Sequence, residues 1–217
     1  TVIRLIEPTS GSVLINEQDF LSLQNAELVD ARRNIQMIFQ DPFGSLNPSQ
    51  TVGYMITRGL LLQGVPGAKA WSRAIELLEQ VGLEEAAMKR KPISFSGGQR
   101  QRIGIARALS LQPDVVVADE SVSALDLSVQ KQVLRLMSDL QIKYQMAIIF
   151  ITHDLRVAAQ ISDYIAVMEK GLIVEFGSAA AIFNNPQHEY TKKLIDAAPG
   201  QDWSPPRLTR EEATKIA

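Results

Sequence analysis

The chain has 217 residues, 46% of them hydrophobic and 21% charged, with a formal net charge of -2 and no cysteine. That length supports one well-buried domain with room for a small insertion. The charge lacks the basic excess of a nucleic-acid binder, and the absence of cysteine excludes disulfides, thiolate metal sites and thiol catalysis. No apolar run approaches the roughly 18–20 residues that cross a bilayer, and no secretory signal pattern opens the chain. Any work at a membrane is therefore expected through partner chains.

Residues 1–7 carry an apolar pattern (Val2, Ile3, Leu5, Ile6) expected to form the last turns of a helix. An opening inside an element leads us to expect a truncated chain. Pro8 and Gly11 break the pattern. A short strand is expected over 12–15, a turn over 16–19 and a strand over 33–39. From about 47 to 95 the period becomes helical, with Trp71, Ile75 and Leu78 on one face, widened by Ala74, Leu77 and Val81. Residues 114–118 read as a strand buried in a parallel sheet. Asp126 is expected to cap a helix whose core face is Val129, Val133, Leu136, Met137 and Leu140. A second buried strand is expected over 147–152, then a helix to about residue 161. A hairpin follows about Lys170-Gly171, with short helices after Ser178 and Pro186. The Pro-rich, charged tail from Pro199 is expected to be partly mobile.

Strands alternating with helices predict an α/β fold with a mainly parallel sheet flanked by helices. Ligands of such folds sit at the carboxyl ends of the strands. Gln40, Asp119, Glu120 and His153 each follow a predicted strand there. The adjacent carboxylates suit a division of labour. Asp119 can hold Mg²⁺, a hard cation that takes oxygen ligands, and Glu120 can orient or deprotonate water. Gln40 offers a neutral ligand to the cation or the water, although an ordinary turn would also account for it. His153 could hydrogen-bond a terminal phosphate, and a lone histidine after a strand can equally be structural.

Ser96-Gly97-Gly98-Gln99 reads locally as a capping box. The box accounts for the serine and glutamine but not the glycines, each of which costs about 1 kcal/mol relative to alanine in a helix. Two in succession predict a close approach to the backbone, and a bare helix N-terminus suits phosphate. Arg100, Arg102 and Arg107 read as a solvated helix face, and His188 as surface.

At these residues the chain resembles the nucleotide-binding subunit of ABC transporters over nearly its whole length. Ser96 to Gln99 matches the signature motif, with Phe95 where leucine is usual. Val115 to Glu120 matches the Walker B strand, Gln40 the Q-loop, Ser123 to Asp126 the D-loop and His153 the switch histidine. Ser121 departs from the usual proline. The resemblance implies a P-loop NTPase-type fold and the cofactors ATP and Mg²⁺. It makes Asp119 and Gln40 the metal-side residues, and Glu120, His153 and Gln40 the catalytic ones. It also implies a head-to-tail dimer in which Ser96, Gly97, Gly98 and Gln99 complete the partner's ATP site and Asp126 meets the partner. The implied domains are an ATPase core over 1–46, a helical subdomain over 47–95, core again over 96–185, and an extension over 186–217.

Asn185 to Thr191 with Leu194, and Gln40-Asp41-Pro42 with Ser45 to Pro48, resemble the peptide and nickel importer branch. That implies an importer ATPase peripheral to the cytoplasmic face of the inner membrane. Its implied partners are a second ABC ATPase (the same or different), two permease subunits that the helical subdomain docks, and a substrate-binding protein, with no nucleic acid. The alternatives are a soluble ABC-type ATPase of DNA repair or translation, and a catalytically dead pairing subunit.

The phosphate-cradling motif G-x-x-x-x-G-K-[ST] occurs nowhere in the 217 residues. The chain alone is therefore expected to bind MgATP poorly and to hydrolyse it negligibly. The resemblance places the missing phosphate-loop strand beside 147–152, so that strand is also expected to carry an exposed apolar edge.

Overall fold

A computed structural model describes residues 2–197. Its contacts divide the chain into two compact units, Thr1–Ile151 and the segment from Thr152 onward.

The first unit opens without a helix. Residues 2–6 are turns and bends, and Arg4 sits at φ +51, a left-handed conformation that interrupts any helical ladder. Seven residues are also too few for a helix to persist without packing. Arg4 is instead anchored by its side chain, whose Nη1 donates to the Leu23 carbonyl at 2.6 Å.

A two-residue hairpin follows, β1 (Leu14–Ile15) against β2 (Gln18–Asp19). Its turn residues Asn16 and Glu17 both have positive φ, +49 and +65, the signature of a type I′ turn. Helix α1 (Asn25–Ala31) was not expected from the sequence; no residue of it is fully buried, and only half-buried Leu28 and Ala31 pack it against the core of Phe20 and Ile35, too few to show an apolar period.

Strands β3 (Ile35–Ile38), β4 (Val115–Asp119) and β5 (Ala147–Ile151) form a parallel sheet in that order. β4 is central, with Val116, Val117 and Ala118 buried. β5 is an edge, and here the expectation of a buried strand fails. Ile149 and Ile151 are 42% and 47% exposed, because among the described residues only β4 pairs with β5. The exposed apolar edge expected from the resemblance is present.

Between β3 and β4 run α2 (Val52–Leu62), α3 (Gly67–Gln80), two 3-10 turns (Glu85–Lys89, Pro92–Ser94) and α4 (Gly97–Leu109). The buried face of α3 is Ala70, Ala74, Leu77 and Leu78. That stripe is rotated from the predicted one, leaving Trp71 38% exposed with its ring beside Gly53 of α2, where an added Cβ would lie 3.0 Å from Trp71 Cζ3. The other helix of this unit, α5 (Leu127–Tyr144), buries Val133, Leu134, Met137 and Leu140. Leu134 replaces Val129 and Leu136 of the predicted face, both of which are only half-buried.

In the second unit α6 (Leu155–Ile161) leads into the antiparallel hairpin of β6 (Tyr164–Glu169) and β7 (Leu172–Ser178), then α7 (Ala179–Asn184) and α8 (Glu189–Ala197). Lys170 and Gly171 form the hairpin turn, both at positive φ. Ile165, Val167, Ala179 and Ile182 build a small core with Ala158. The expected tail lies outside the described residues.

Candidate functional site

Parallel strands put the carboxyl ends of β3, β4 and β5 on one sheet edge, where α/β folds bind ligands. β4 ends there in Asp119, and Glu120 follows in a left-handed conformation, φ +41. A non-glycine residue held this way is strained, and such strain concentrates at functional sites. Three hydrogen bonds hold the bend: Glu120 N–H donates to the Ile151 carbonyl at 2.9 Å, and the Glu120 carbonyl accepts from the Ser123 hydroxyl at 2.9 Å and from Ser123 N–H at 3.1 Å.

Gln40 lies two residues beyond β3. Its Nε2 donates to Glu120 Oε2 at 2.7 Å, across 80 residues of sequence. Two residues expected at one site are thus in contact. With Nε2 committed to the carboxylate, the Gln40 amide oxygen is left as its acceptor. Together with Asp119 it provides hard oxygen donors of the kind Mg²⁺ combines with phosphate and water.

The capping box at 96–99 forms as read. The Ser96 hydroxyl oxygen accepts from Gln99 N–H at 3.3 Å, and Gln99 Oε1 accepts from Ser96 N–H at 3.1 Å. The box satisfies the amides of residues 96 and 99 and leaves those of Gly97 and Gly98 at the positive end of a 13-residue helix. That end is an anion site in form.

The expectation that both glycines answer a ligand needs correction at Gly98. A Cβ there would sit 2.5 Å from Val129 Cγ1, whereas one at Gly97 would meet only Leu125 Cδ2 at 3.7 Å. Close packing of α5 on α4 is therefore reason enough for glycine at 98. Asp126 caps α5, its Oδ1 accepting from Ser128 and Val129 N–H at 3.1 and 3.0 Å.

The three arginines of α4 are not a solvated face. Arg100 is 9% exposed. Its Nε donates to the Pro92 carbonyl at 2.9 Å, and its guanidinium lies 3.7 Å from the Phe43 ring centroid. Arg102 Nη1 donates to the Val81 carbonyl at 2.8 Å, closing the end of α3. Arg107 Nη1 donates to the Ser45 carbonyl at 2.6 Å, and burial pulls its guanidinium below its usual value. Sequence reading missed these contacts, though one signal was available. Arg100 and Arg107 share the i, i+3, i+7 face of α4 with the buried Ile103.

His153 lies in the second unit, exposed, in a short segment before α6. The turn around it is locked. Thr152 Oγ1 accepts from Asp154 N–H at 3.0 Å, and Asp154 Oδ1 accepts from Arg156 N–H at 2.9 Å. The Arg156 side chain also holds the Asp154 carboxyl below its usual value. His188 is half-buried; its Nδ1 accepts from Tyr190 N–H at 3.1 Å.

Comparisons with known proteins bear on the family and the fold. The family model described as ABC transporter matches residues 1–123. The glutathione import ATP-binding protein GsiA of Salmonella paratyphi A is 50% identical over 210 residues, 96% of this chain and 34% of that protein. A Brucella ovis protein named for peptide import ATP binding is 48% identical over 204 residues, 93% of this chain and 64% of that protein. The chain thus spans about a third of the first relative and under two thirds of the second. Among solved structures, a dimeric post-hydrolysis state of an ATP-binding cassette bound to ADP and Pi superposes with a TM-score of 0.71 at 30% identity. That match covers 81% of this chain and 76% of the other. With the family model over residues 1–123 and relatives about 50% identical over most of its length, the chain belongs to the ABC transporter ATP-binding family.

Proposed function

We propose that the chain is part of an ATP-binding and hydrolysing subunit that energises import of peptides or similar solutes. The observation that carries this reading is the 2.7 Å contact of Gln40 with Glu120 beside Asp119. It sets a carboxylate and a neutral sensor side by side at a ligand-binding sheet edge. Bound Mg²⁺ would supply charge neutralisation for the phosphates, held by Asp119 and the Gln40 amide oxygen. Glu120 orients the attacking water and accepts its proton, while Gln40 holds the Glu120 carboxylate in place. His153 contributes a hydrogen bond to the terminal phosphate.

Ser96, Gly97, Gly98 and Gln99 serve the ATP of a second cassette, and Asp126 lies at that dimer contact. Residues 47–95 form the helical subdomain between the core segments 1–46 and 96–185, and dock two membrane-spanning permease subunits on the cytoplasmic face. A substrate-binding protein delivers the solute. The similarity to glutathione and peptide import proteins supports this assignment of partners.

The split site is tested by mixing this chain with an intact cassette that carries its own phosphate loop but a disabled signature motif. Hydrolysis is expected only in the mixture and is abolished by Ser96→Arg in this chain. Hydrolysis by this chain alone, lost on Glu120→Gln, would overturn the division of labour. The same mixture without any hydrolysis, but with pairing intact, would favour a purely structural pairing subunit.

A further inference from the structure

Gln40 leads into a five-residue loop, Asp41–Ser45, that precedes α2 and has more internal restraint than a connector needs. Asp41 Oδ1 accepts from Phe43 N–H at 2.7 Å, and the Asp41 carbonyl accepts from Ser45 N–H at 3.0 Å. Pro42 is buried and fixes its own φ. A Cβ at Gly44 would lie 2.7 Å from Asp41 Oδ2, so the turn closes tightly on its aspartate. The loop is therefore a strut in the sense that it is braced from within.

Both ends of the strut are held. Gln40 is fixed to Glu120. At the other end Arg107 Nη1 holds the Ser45 carbonyl at 2.6 Å, a strong charge-assisted bond made by a largely buried group. Arg100 adds a second hold, its guanidinium 3.7 Å from the Phe43 ring centroid.

Arg100 also binds the Pro92 and Ile93 carbonyls, at 2.9 and 3.4 Å. Those two residues belong to the 3-10 turn that delivers the chain to Ser96. One buried guanidinium thus joins the strut to the approach of the signature turn. Phe43 is 62% exposed, so its ring contributes little to the core.

We propose that Arg100, Arg107 and Phe43 are positioning residues for the Ser96–Gln99 turn. They fix that turn relative to Gln40 through the Asp41–Ser45 strut. The proposal rests on the split-site reading above, in which the turn acts on a partner's ATP. Displacing a group about 1 Å from its working position can cost up to about 100-fold in rate, so modest slack in the strut has a measurable effect.

The test uses the same mixture of this chain with a signature-disabled intact cassette, with no membrane partner present. Phe43→Ala and Arg107→Met are expected to lower kcat about 10-fold or more while KM for ATP changes less than about two-fold, because ATP is still gripped by the partner's phosphate loop. Phe43→Trp and Arg107→Lys recover part of the loss. Hydrogen exchange of this chain gives an independent reading. Phe43→Ala is expected to speed exchange in 41–46 and in 96–99 together. Phe43 is exposed, so this variant folds even if Arg107→Met does not. Unchanged kcat in Phe43→Ala, or faster exchange confined to 41–46, overturns the positioning role. If Ser96→Arg also leaves the mixture active, the split-site reading falls, and the exchange result alone decides whether the strut reaches the turn.

Discussion

Replacing Gly98 by alanine separates two reasons for a glycine at that position. A Cβ there meets Val129 Cγ1 at 2.5 Å, more than 1 Å inside ordinary carbon contact. Val129 cannot swing aside cheaply, because a β-branched side chain in a helix has one strongly preferred rotamer. Overpacking of this kind costs about 1–3 kcal/mol. Alanine returns up to ~1 kcal/mol of helix propensity, so the net effect is a destabilisation of about 0–2 kcal/mol. Val129→Ala removes the obstructing methyls, and the double variant should recover about 1–2 kcal/mol of coupling. The assay is urea unfolding followed by Trp71, which lies on α3 of the same unit, in a Trp203→Phe background with the slope checked for constancy. If Gly98→Ala gains about 1 kcal/mol, as propensity alone predicts, and shows no coupling to Val129, then packing of α5 does not explain the glycine. The double variant has a second use. If it is stable yet still fails to support hydrolysis in a partner cassette, phosphate approach is an additional demand on Gly98.

Asp126→Ala should cost about 0.5–2 kcal/mol of stability through loss of the α5 cap, and Asp126→Asn much less, both measured by urea unfolding. A loss of pairing in Asp126→Asn by sedimentation would show a dimer role separate from capping. The Asp154 carboxyl is held low by Arg156, so its contribution is present above the ordinary carboxylate range near pH 4 and is lost as pH falls through its lowered value. Arg156→Ala should therefore flatten the acid limb of a thermal-melting profile; an unchanged limb refutes this. Ile149→Lys on β5 should reduce light scattering at high protein concentration, and undiminished scattering would remove that edge as the cause.

The meeting of Gln40 and Glu120 at one sheet edge was legible because short, apolar β4 ends abruptly in two acids, and Gln40 follows a second short strand of the same sheet. Burial on both faces leaves a continuous apolar run that needs no partner to be read. Helix α1 was not legible, since it offers only the half-buried Leu28 and Ala31 to the core around Phe20, too few to set a period. Residues 2–6 misled in the other direction: they carry a helical pattern, yet the backbone at Arg4 turns left-handed. The arginines of α4 were misjudged because charge was read as exposure. A guanidinium can be buried when backbone carbonyls receive its protons, and those carbonyls lie 7 to 62 residues away in sequence. Gly98 shows the same limit, because the side chain that demands it stands on another helix.

The register of the sheet has a consequence for how the molecule comes together. Val115 pairs with Ala147 across 32 residues, whereas Ile35 reaches Val115 across 80. Closing the longer loop costs ~0.8 kcal/mol more chain entropy, and contacts between distant segments are slow to form. The β4–α5–β5 crossover is thus the natural early unit. β3 joins after the helical segment 47–95 has compacted and shortened its effective tether. The bond between Gln40 and Glu120 has the same 80-residue span. The Gln40–Glu120 pair, proposed above to carry the chemistry, is therefore among the last contacts to form, and the first to be lost when β3 peels away.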